Sequence, residues 1–389
     1  MTHSVSPRDA VLGAGPVGPE AALYARRLGL PVTVYERGRA GEYLHCWGHV
    51  RMFSPFGMNS TSLGKAALRA DWPGHRLPGD HDLHTGREYL GAYLEPLSRC
   101  AALRDGLRLG VPVVHVSRRG PPPGDGSGAA VRPFLLLVRG PGGGQRVEPA
   151  DVVLDCTGTF GSHRWLGGGG PVPGEAAAEP HICYGLEDVA GAARDRYAGK
   201  SVLVVGAGYS AATTVCALAD LAQSYPGTRT VWLARGAEAP PIRLIPGDPL
   251  PERHRLAVRA NDLAAGGAGN FEFHADSAVT AVACHEPHGG FTVTARVAGV
   301  LRTWDVDRVV ANIGFTPDAL ADSELPGDDG PGPPPSAGAP TCPEPNLYVV
   351  GSKSYGRNSD FLLGDGYAQV RAAFARITSE PGLDLYAGS

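Results

Sequence analysis

The sequence predicts an α/β protein made of two domains of the same type, with the second domain inserted into the first. Three observations predict this architecture. A Gly-rich turn between an apolar run and a helical run occurs twice, a similar series of strands follows each turn, and the C-terminal segment has no counterpart in the second half. An internal repeat decides the architecture before any single residue does. At 389 residues, the chain is long enough for each domain to bury its own core.

The first copy of the repeat begins with an apolar stretch at residues 9–12 and then turns. The turn consists of Gly13, Ala14, Gly15, Pro16, Val17 and Gly18. A helical pattern follows, and the next apolar run, at residues 32–35, ends at Glu36. In a G-x-G-x-x-G turn the glycines allow a tight turn, a close approach of a pyrophosphate, and helix packing. A carboxylate at the end of the second strand can accept hydrogen bonds from ribose hydroxyls. We therefore predict a βαβ unit that binds a dinucleotide.

The second copy has the same layout but ends differently. A run at residues 201–205 leads into a turn made of Gly206, Ala207, Gly208, Tyr209, Ser210 and Ala211. Ala is tolerated at the third position of this motif. After the next strand, at residues 230–233, an arginine, Arg235, takes the place of the acid. A guanidinium there can pair with a 2′-phosphate, which favours NADPH over NADH.

The segments downstream of the two turns also match. Each turn is followed by two further strand-like runs and then by a strand that ends in a small-residue loop, at residues 151–158 and 308–314. The tail at residues 346–377 should return to the first domain. We predict a first domain made of residues 8–165 and 318–389, and a second domain at residues 180–317.

Composition limits the function classes. The net charge is −4 and no apolar run reaches about 18 residues, so neither a nucleic-acid partner nor a membrane span is expected. The N-terminus lacks the layout of a signal peptide, and we expect a cytoplasmic protein. The seven cysteines are dispersed, and none forms a C-x-x-C pair. No metal site is expected, because His45, Cys46 and His49 have no further ligand pattern around them.

These motifs resemble the two-dinucleotide-domain flavoproteins, which have a glutathione-reductase-like fold with two Rossmann-like domains. Within them the chain is most similar to the flavin-containing monooxygenase-like group, the class B flavin monooxygenases. Cys156-Thr157-Gly158 and residues 313–318 look like the two "ATG" loops of that group. Residues 47–55 and 353–363 resemble a bacterial subgroup labelled only "flavoprotein". The resemblance implies FAD at the first turn and NADPH, in a domain inserted into the FAD domain, at the second.

Further cofactor contacts are expected beside these motifs. The expected residues are Arg37, Trp47, His49, Arg51, Val113, Gly314, Phe315, Gly351, Phe361 and Leu362. The chain also departs from the pattern of its apparent relatives. Gly351-Ser352 replaces the Gly-Asp that disulfide reductases of this fold use for the flavin ribityl chain, and Asp365 stands where the subgroup usually has an uncharged residue.

Three reactions are compatible with these cofactors, and we favour oxygenation. In the flavin-containing monooxygenase-like group that the chain resembles, reduced flavin forms a C4a-hydroperoxide with O₂. This hydroperoxide transfers one oxygen atom to a nitrogen or sulfur atom. We expect oxidation of nitrogen before sulfur in a small polar molecule. Asn59, in the comparable N-x-[ST]-like stretch, and Arg51 are the candidate catalytic residues. The alternatives are NADPH-dependent reduction of a disulfide, quinone or other small acceptor, with Cys46 as the candidate thiol, and a non-catalytic flavin- and NADPH-binding protein. Either a monomer or a homo-oligomer is compatible with the sequence.

Overall fold

The computed structural model describes residues 8–118, 132–237, 240–266, 269–285, 289–317, 320, 338–355 and 360–387. The chain divides into two compact units, one made of Met1–Gly161 with Pro317–Ser389 and the other of Ser162–Thr316. Residue 318, where we predicted that the first domain resumes, lies outside the described residues.

The strands are numbered in chain order. They are β1 (Asp9–Leu12), β2 (Val32–Glu36), β3 (Leu107–Leu109), β4 (Val113–Arg118), β5 (Phe134–Arg139), β6 (Gln145–Ala150), β7 (Val152–Asp155), β8 (Ser201–Val205), β9 (Arg229–Leu233), β10 (Phe271–His274), β11 (Ser277–Cys284), β12 (Phe291–Val297), β13 (Val300–Val306), β14 (Arg308–Ala311), β15 (Thr341–Glu344) and β16 (Leu347–Val349).

The α-helices are numbered in the same way. They are α1 (Val17–Arg27), α2 (Glu42–Trp47), α3 (Phe56–Asn59), α4 (Ser62–Asp71), α5 (Gly86–Tyr89), α6 (Glu95–Arg99), α7 (Ala101–Arg104), α8 (Glu175–Ala178), α9 (Arg194–Tyr197), α10 (Tyr209–Ser224), α11 (Pro251–Gly266) and α12 (Leu363–Ile377). A π-helical turn spans Leu90–Leu94, and 3-10 turns span Glu179–His181 and Ser352–Tyr355.

The first unit is organised around a six-stranded sheet with the order β15-β16-β7-β1-β2-β3. All neighbouring pairs in it are parallel except β15 with β16. Strands β1 and β7 are buried along their whole length, as expected for a parallel sheet covered on both faces. A separate antiparallel sheet contains β4, β5 and β6. The carboxyl ends of β1, β2, β7 and β16 therefore lie at the same edge of the sheet. This is the edge at which α/β sheets of this type bind their ligands.

The second unit repeats this plan. Its parallel sheet has the order β10-β9-β8-β14, and an antiparallel sheet contains β11, β12 and β13. Helix α10 follows β8 directly, as α1 follows β1. No helix in the described part of the chain is long and apolar enough to cross a membrane.

One buried carboxylate in the first unit has no hydrogen-bond partner among the described residues. Asp9, at the start of β1, is 3% exposed, and neither carboxylate oxygen has a hydrogen-bond partner among the described residues. Burial, together with the nearby Asp151 carboxylate, raises the pKa of Asp9 to about 7. The folded state therefore holds a proton that the unfolded chain releases near pH 4. The free energy of unfolding therefore falls as the pH rises from about 4 to about 7. Above that range it stays lowered by the full cost of burying the ionised carboxylate.

We predict that Asp9→Asn stabilises the protein at pH 8, by about 2 kcal/mol, because it removes an unpaired buried charge. The gain should shrink towards pH 4, where the carboxyl group is protonated in the folded state and no buried charge remains to be removed. Urea denaturation at pH 4, 6 and 8 measures this dependence. Asp105→Asn, at an exposed position of the same unit, is the control. A gain that did not vary with pH would contradict the assignment of a raised pKa.

Candidate dinucleotide-binding sites

The first Gly-rich turn lies at the carboxyl end of β1. Gly13 has φ of +94°, and a Cβ added to it would lie 2.8 Å from the Cys156 carbonyl oxygen. A Cβ on Gly18 would lie 1.9 Å from the Gly13 carbonyl oxygen. Around Gly15, by contrast, a Cβ would meet no atom within 4 Å. The first and third glycines are therefore required by packing, whereas the second faces open space at the start of α1. This is the arrangement that lets a phosphate approach the backbone.

Glu36 is held rigidly at the end of β2. One carboxylate oxygen accepts a hydrogen bond from the Ala14 N–H at 2.7 Å, and the other accepts one from the Gly38 N–H at 2.8 Å. The residue is 8% exposed. Each carboxylate oxygen can accept a second hydrogen bond. The carboxylate therefore joins the Gly-rich turn to β2 and retains acceptor capacity for a ribose.

The loop after β7 forms a second wall of this site. The Cys156 N–H donates to the Leu12 carbonyl at 2.8 Å, and Gly158 has φ of +70°. Burial of the Cys156 thiol, aided by Asp155, raises its pKa far above the usual range. This cysteine is consequently neutral and unreactive. Thr157 donates both its N–H and its hydroxyl to Asp155, at 3.1 and 2.6 Å.

A buried ion pair connects this loop to the C-terminal tail. The Lys353 ammonium donates to Asp155 at 2.7 Å and to the Thr157 hydroxyl at 3.2 Å. The side chains of Lys353 and Asp155 are only 1% and 8% exposed. The sequence reasoning missed this pair. Only Asp155 gave a local signal, as an acid at the end of an apolar strand. Its partner, Lys353, lies 198 positions further along the chain.

The tail adds a third wall. Gly351, with φ of +83°, donates its N–H to Gln369 at 2.7 Å. Helix α12 packs against α1, where a Cβ on Gly366 would lie 2.7 Å from Val17. This puts the beginning of α12 beside the Gly-rich turn.

The residues just before α12 complete this wall. Asp365 accepts a hydrogen bond from the Leu362 N–H at 2.8 Å, so its carboxylate caps the helix N-terminus. The Phe361 ring packs edge-on against Tyr355, with centroids 5.3 Å apart. Residues 356–359, within the stretch that resembles the bacterial subgroup, lie outside the described residues.

The residues in and near α2 that we expect to contact the cofactor differ in how buried they are. The exposed Arg37 bonds to the Tyr43 hydroxyl. The ring of Trp47 packs against Gly86, where an added Cβ would lie 2.7 Å from it. Its indole N–H is buried and has no hydrogen-bond partner among the described residues. His49 is half-buried, and Val113 begins β4 two residues after Val111, whose N–H donates to the Glu36 carbonyl at the end of β2 at 2.9 Å.

The two candidate catalytic residues lie in different surroundings. Asn59 is fully buried. Its side-chain oxygen accepts from the Ser54 hydroxyl at 2.8 Å, and its amide nitrogen bonds to the Ser54 carbonyl and the His84 ring at 3.0 and 3.2 Å. These are the contacts of an internal brace, so a direct role for Asn59 in catalysis stays a prediction. Arg51 is exposed and lies on an open cleft instead.

The second Gly-rich turn reproduces the first with Ala at the third position. A Cβ on Gly206, which has φ of +139°, would lie 2.2 Å from the Asn312 carbonyl oxygen. A Cβ on Gly208 would meet nothing within 4 Å. Ala211 is fully buried, and its own Cβ fits 3.5 Å from the one added to Gly206. Tyr209 and the exposed Ser210 then begin the 16-residue helix α10, whose N-terminus is open to an anion.

The remaining residues of the second site lie around this turn. The Asn312 side chain accepts from the Thr214 hydroxyl at 2.7 Å and donates to the Gly185 carbonyl at 2.8 Å, which fixes the end of β14. Gly314 follows with φ of +86°, and Phe315 pairs with His163 in a short antiparallel bridge. Arg235 is exposed beyond β9, with one guanidinium nitrogen 3.0 Å from the position of a Cβ on Gly168.

The fold of the whole chain matches a group of solved structures. The chain is similar to proteins that combine two Rossmann-type domains, and the predicted α/β fold class is confirmed. No protein-family model and no curated protein match the sequence.

Three solved structures illustrate the range of that class. A bacillithiol disulfide reductase from Bacillus cereus has a TM-score of 0.69 and 19% identity, over 97% of this chain and 100% of that one. An ornithine hydroxylase from Pseudomonas aeruginosa has a TM-score of 0.66 and 15% identity, over 97% and 100%. An FAD-bound cadaverine monooxygenase from Erwinia amylovora has a TM-score of 0.66 and 14% identity, over 97% and 95%.

We predict that Lys353→Met destabilises the fold by about 3–5 kcal/mol, because it leaves the Asp155 carboxylate buried without its cation. The double variant Lys353→Met with Asp155→Asn should lose markedly less, since no uncompensated charge remains. Urea denaturation of both variants measures the difference. Lys200→Met, at a half-buried position in the second unit, is the control. Equal losses for the single and double variants would refute a structural ion pair.

Proposed function

We propose that the chain is an oxidoreductase that binds FAD in its first unit and NADPH in its second. The observation that carries this proposal is the shared geometry of the two Gly-rich turns. In each turn two positions are closed by packing, and the middle one is open towards a helix N-terminus. The cadaverine monooxygenase, which is similar in fold over 95% of its own chain, has a structure with FAD bound.

The residues of the first unit fit FAD. The open space at Gly15 accommodates a pyrophosphate, and Glu36 has acceptor capacity for a ribose. The buried indole N–H of Trp47 lacks a partner among the described residues, which suits an acceptor on a bound molecule. FAD supplies hydride and electron transfer when bound, while this chain binds it, orients it and excludes water.

The second unit fits a phosphorylated nicotinamide cofactor. The N-terminus of α10 is open at Gly208, and the exposed Arg235 lies beyond the next strand of the βαβ unit. A guanidinium can bind a 2′-phosphate through two parallel hydrogen bonds. This arrangement supports NADPH in preference to NADH.

For the reaction we favour oxygenation of a nitrogen in a small polar molecule. In this reaction O₂, NADPH and a proton yield one oxygen atom in the product, one molecule of water and NADP⁺. The absence of a paired dithiol supports it, because all seven cysteines are free thiols and none belongs to a C-x-x-C pair. Among the proteins similar in fold, one is named a cadaverine monooxygenase and another an ornithine hydroxylase, so their named substrates are a small amine and an amino acid.

Reduction of a disulfide is the second candidate, and one observation favours it. A bacillithiol disulfide reductase matches the fold over the same extent as the hydroxylases. Cys46 is exposed on α2, one residue before Trp47. A single exposed thiol there could exchange with a disulfide substrate.

Aerobic and anaerobic turnover separates the two reactions. We expect purified protein with bound FAD to be reduced by NADPH faster than by NADH, and the reduced protein to consume O₂ rapidly on mixing with air. Stopped-flow absorbance and an oxygen electrode measure both steps. Cys46→Ser should leave both rates unchanged. Reduced protein that is stable in air, is reoxidised by a disulfide, and loses that activity in Cys46→Ser would favour the reductase instead.

Two glycine variants test the FAD site itself. Gly15→Ala should leave the apoprotein as stable as the wild type but weaken FAD binding at least about 10-fold, because the methyl group enters only the open space. Gly18→Ala should destabilise the apoprotein by about 1–3 kcal/mol, because its methyl group would overlap the Gly13 carbonyl. Fluorescence titration with FAD and thermal unfolding give the two readouts. Unchanged FAD affinity in Gly15→Ala would exclude this site.

A further inference from the structure

The first unit contains an open cleft whose lining residues lie outside both Gly-rich turns. Its volume is about 750 Å³, a size that suits a small organic molecule. All of its lining residues come from the stretch between positions 51 and 92, which has no counterpart in the second unit. The charged and titratable groups that face it are Arg51, His81, Asp82, His84, Arg87 and Glu88.

The backbone holds the two walls of this cleft in register. Arg51 pairs with Thr85 in a short antiparallel bridge, and the Met52 N–H donates to the His84 carbonyl at 2.9 Å. The Arg87 N–H donates to the Gly48 carbonyl at 2.8 Å. Both arginines therefore start from anchored backbone, which reduces the entropy lost when their side chains bind a ligand.

The donors of the two guanidinium groups are available to a ligand, although the Arg51 guanidinium interacts electrostatically with Glu88. Within the described part of the chain, neither the Arg51 nor the Arg87 side chain has a hydrogen bond or an ion pair. The two carboxylates, in contrast, are partly occupied. Asp82 accepts from the Gly79 N–H at 2.7 Å, and Glu88 accepts from the Thr85 N–H and hydroxyl at 2.7 and 3.1 Å. The cleft thus offers unused donors and only limited acceptor capacity.

The floor of the cleft is polar but unreactive. His84 is 3% exposed, and burial lowers its pKa, so the ring is neutral. One ring nitrogen lies 3.2 Å from the Asn59 amide nitrogen, which can only donate, so the other carries the proton and faces the Asp82 carbonyl at 3.3 Å. Since both ring nitrogens are committed, His84 has no free nitrogen with which to act as a base. His84 therefore supports the wall of the cleft and does not transfer protons there.

The balance of charges selects the ligand. Two guanidinium groups face two carboxylates, so the cleft as a whole is close to neutral and is not a trap for polyanions. Hydrogen bonds from Thr85, and the field of Arg51, lower the pKa of Glu88 and keep it anionic. Both anions can engage a guanidinium through two parallel hydrogen bonds, but Asp82 and Glu88 repel a dianionic phosphate about twice as strongly as a single carboxylate, so the balance favours the carboxylate.

We infer that this cleft binds a small organic monocarboxylate, with Arg51 and Arg87 as its anion-binding residues. The inference concerns binding alone and does not depend on the proposed flavin reaction. Its test therefore needs no turnover, and its failure would leave the proposed function untouched.

The test uses benzoate as the probe on the full-length protein as purified, with calorimetric titration at constant ionic strength. We expect saturable binding of benzoate and no binding of benzamide, its neutral isostere. Inorganic phosphate should bind at least about 10-fold more weakly than benzoate. Arg51→Gln and Arg87→Gln should each weaken benzoate binding about 10-fold, the scale of a hydrogen bond to a charged group.

Arg104→Gln, which changes an exposed arginine of the same unit outside the cleft, serves as the matched control and should bind benzoate like the wild type. Thermal unfolding of each variant checks that the fold is intact. The inference fails if benzoate does not bind, if benzamide binds equally well, or if folded Arg51→Gln and Arg87→Gln variants keep the wild-type affinity. Tighter binding of phosphate than of benzoate would overturn the assignment of a monocarboxylate.

Discussion

The close approach of Gly18 to the Gly13 carbonyl is the constraint on which the first unit depends. Only a residue without a side chain fits there, because even a methyl group would lie 1.9 Å from the oxygen. This contact brings the start of α1 against the end of β1 and aims the helix N-terminus along the carboxyl edge of the sheet. In the second unit the third position is taken by the fully buried Ala211, and the close approach is made by the first glycine, Gly206, where an added Cβ would lie 2.2 Å from the Asn312 carbonyl oxygen. In both units, therefore, tight packing at the Gly-rich turn places a helix N-terminus at the carboxyl edge of the parallel sheet.

Around that turn, three segments far apart in the chain are joined by charged groups that have been removed from water. Glu36 ties the turn to β2, and the Lys353–Asp155 pair ties the loop after β7 to the C-terminal tail. A buried charge costs the fold least when it is paired and hydrogen-bonded. The first unit therefore has a site whose walls are fixed before any ligand arrives, which lowers the entropy lost on binding.

The helical stretch between β2 and β3 has a different role. It has no counterpart in the second unit, and it carries both Asn59 and Arg51. Asn59 lies inside it, hydrogen-bonded to Ser54 and His84, and braces the floor of the cleft. Arg51 lies at the surface of that cleft. The two residues that sequence reasoning grouped as catalytic candidates thus form two layers of one structure, an inner support and an outer rim.

Taken alone, the sequence determined the two Gly-rich turns, the strands and helices beside them, and the contrast between Glu36 and Arg235. It could do so because the rules for such turns act within a few consecutive residues and at the end of the next strand. Only the tertiary structure decided that Asp155 meets Lys353, that Asn59 is closed off by His84, and that Arg51 and Arg87 share a cleft. Those outcomes depend on which distant segments pack together and on how burial changes the energy of a charge, and neither is encoded in local spacing.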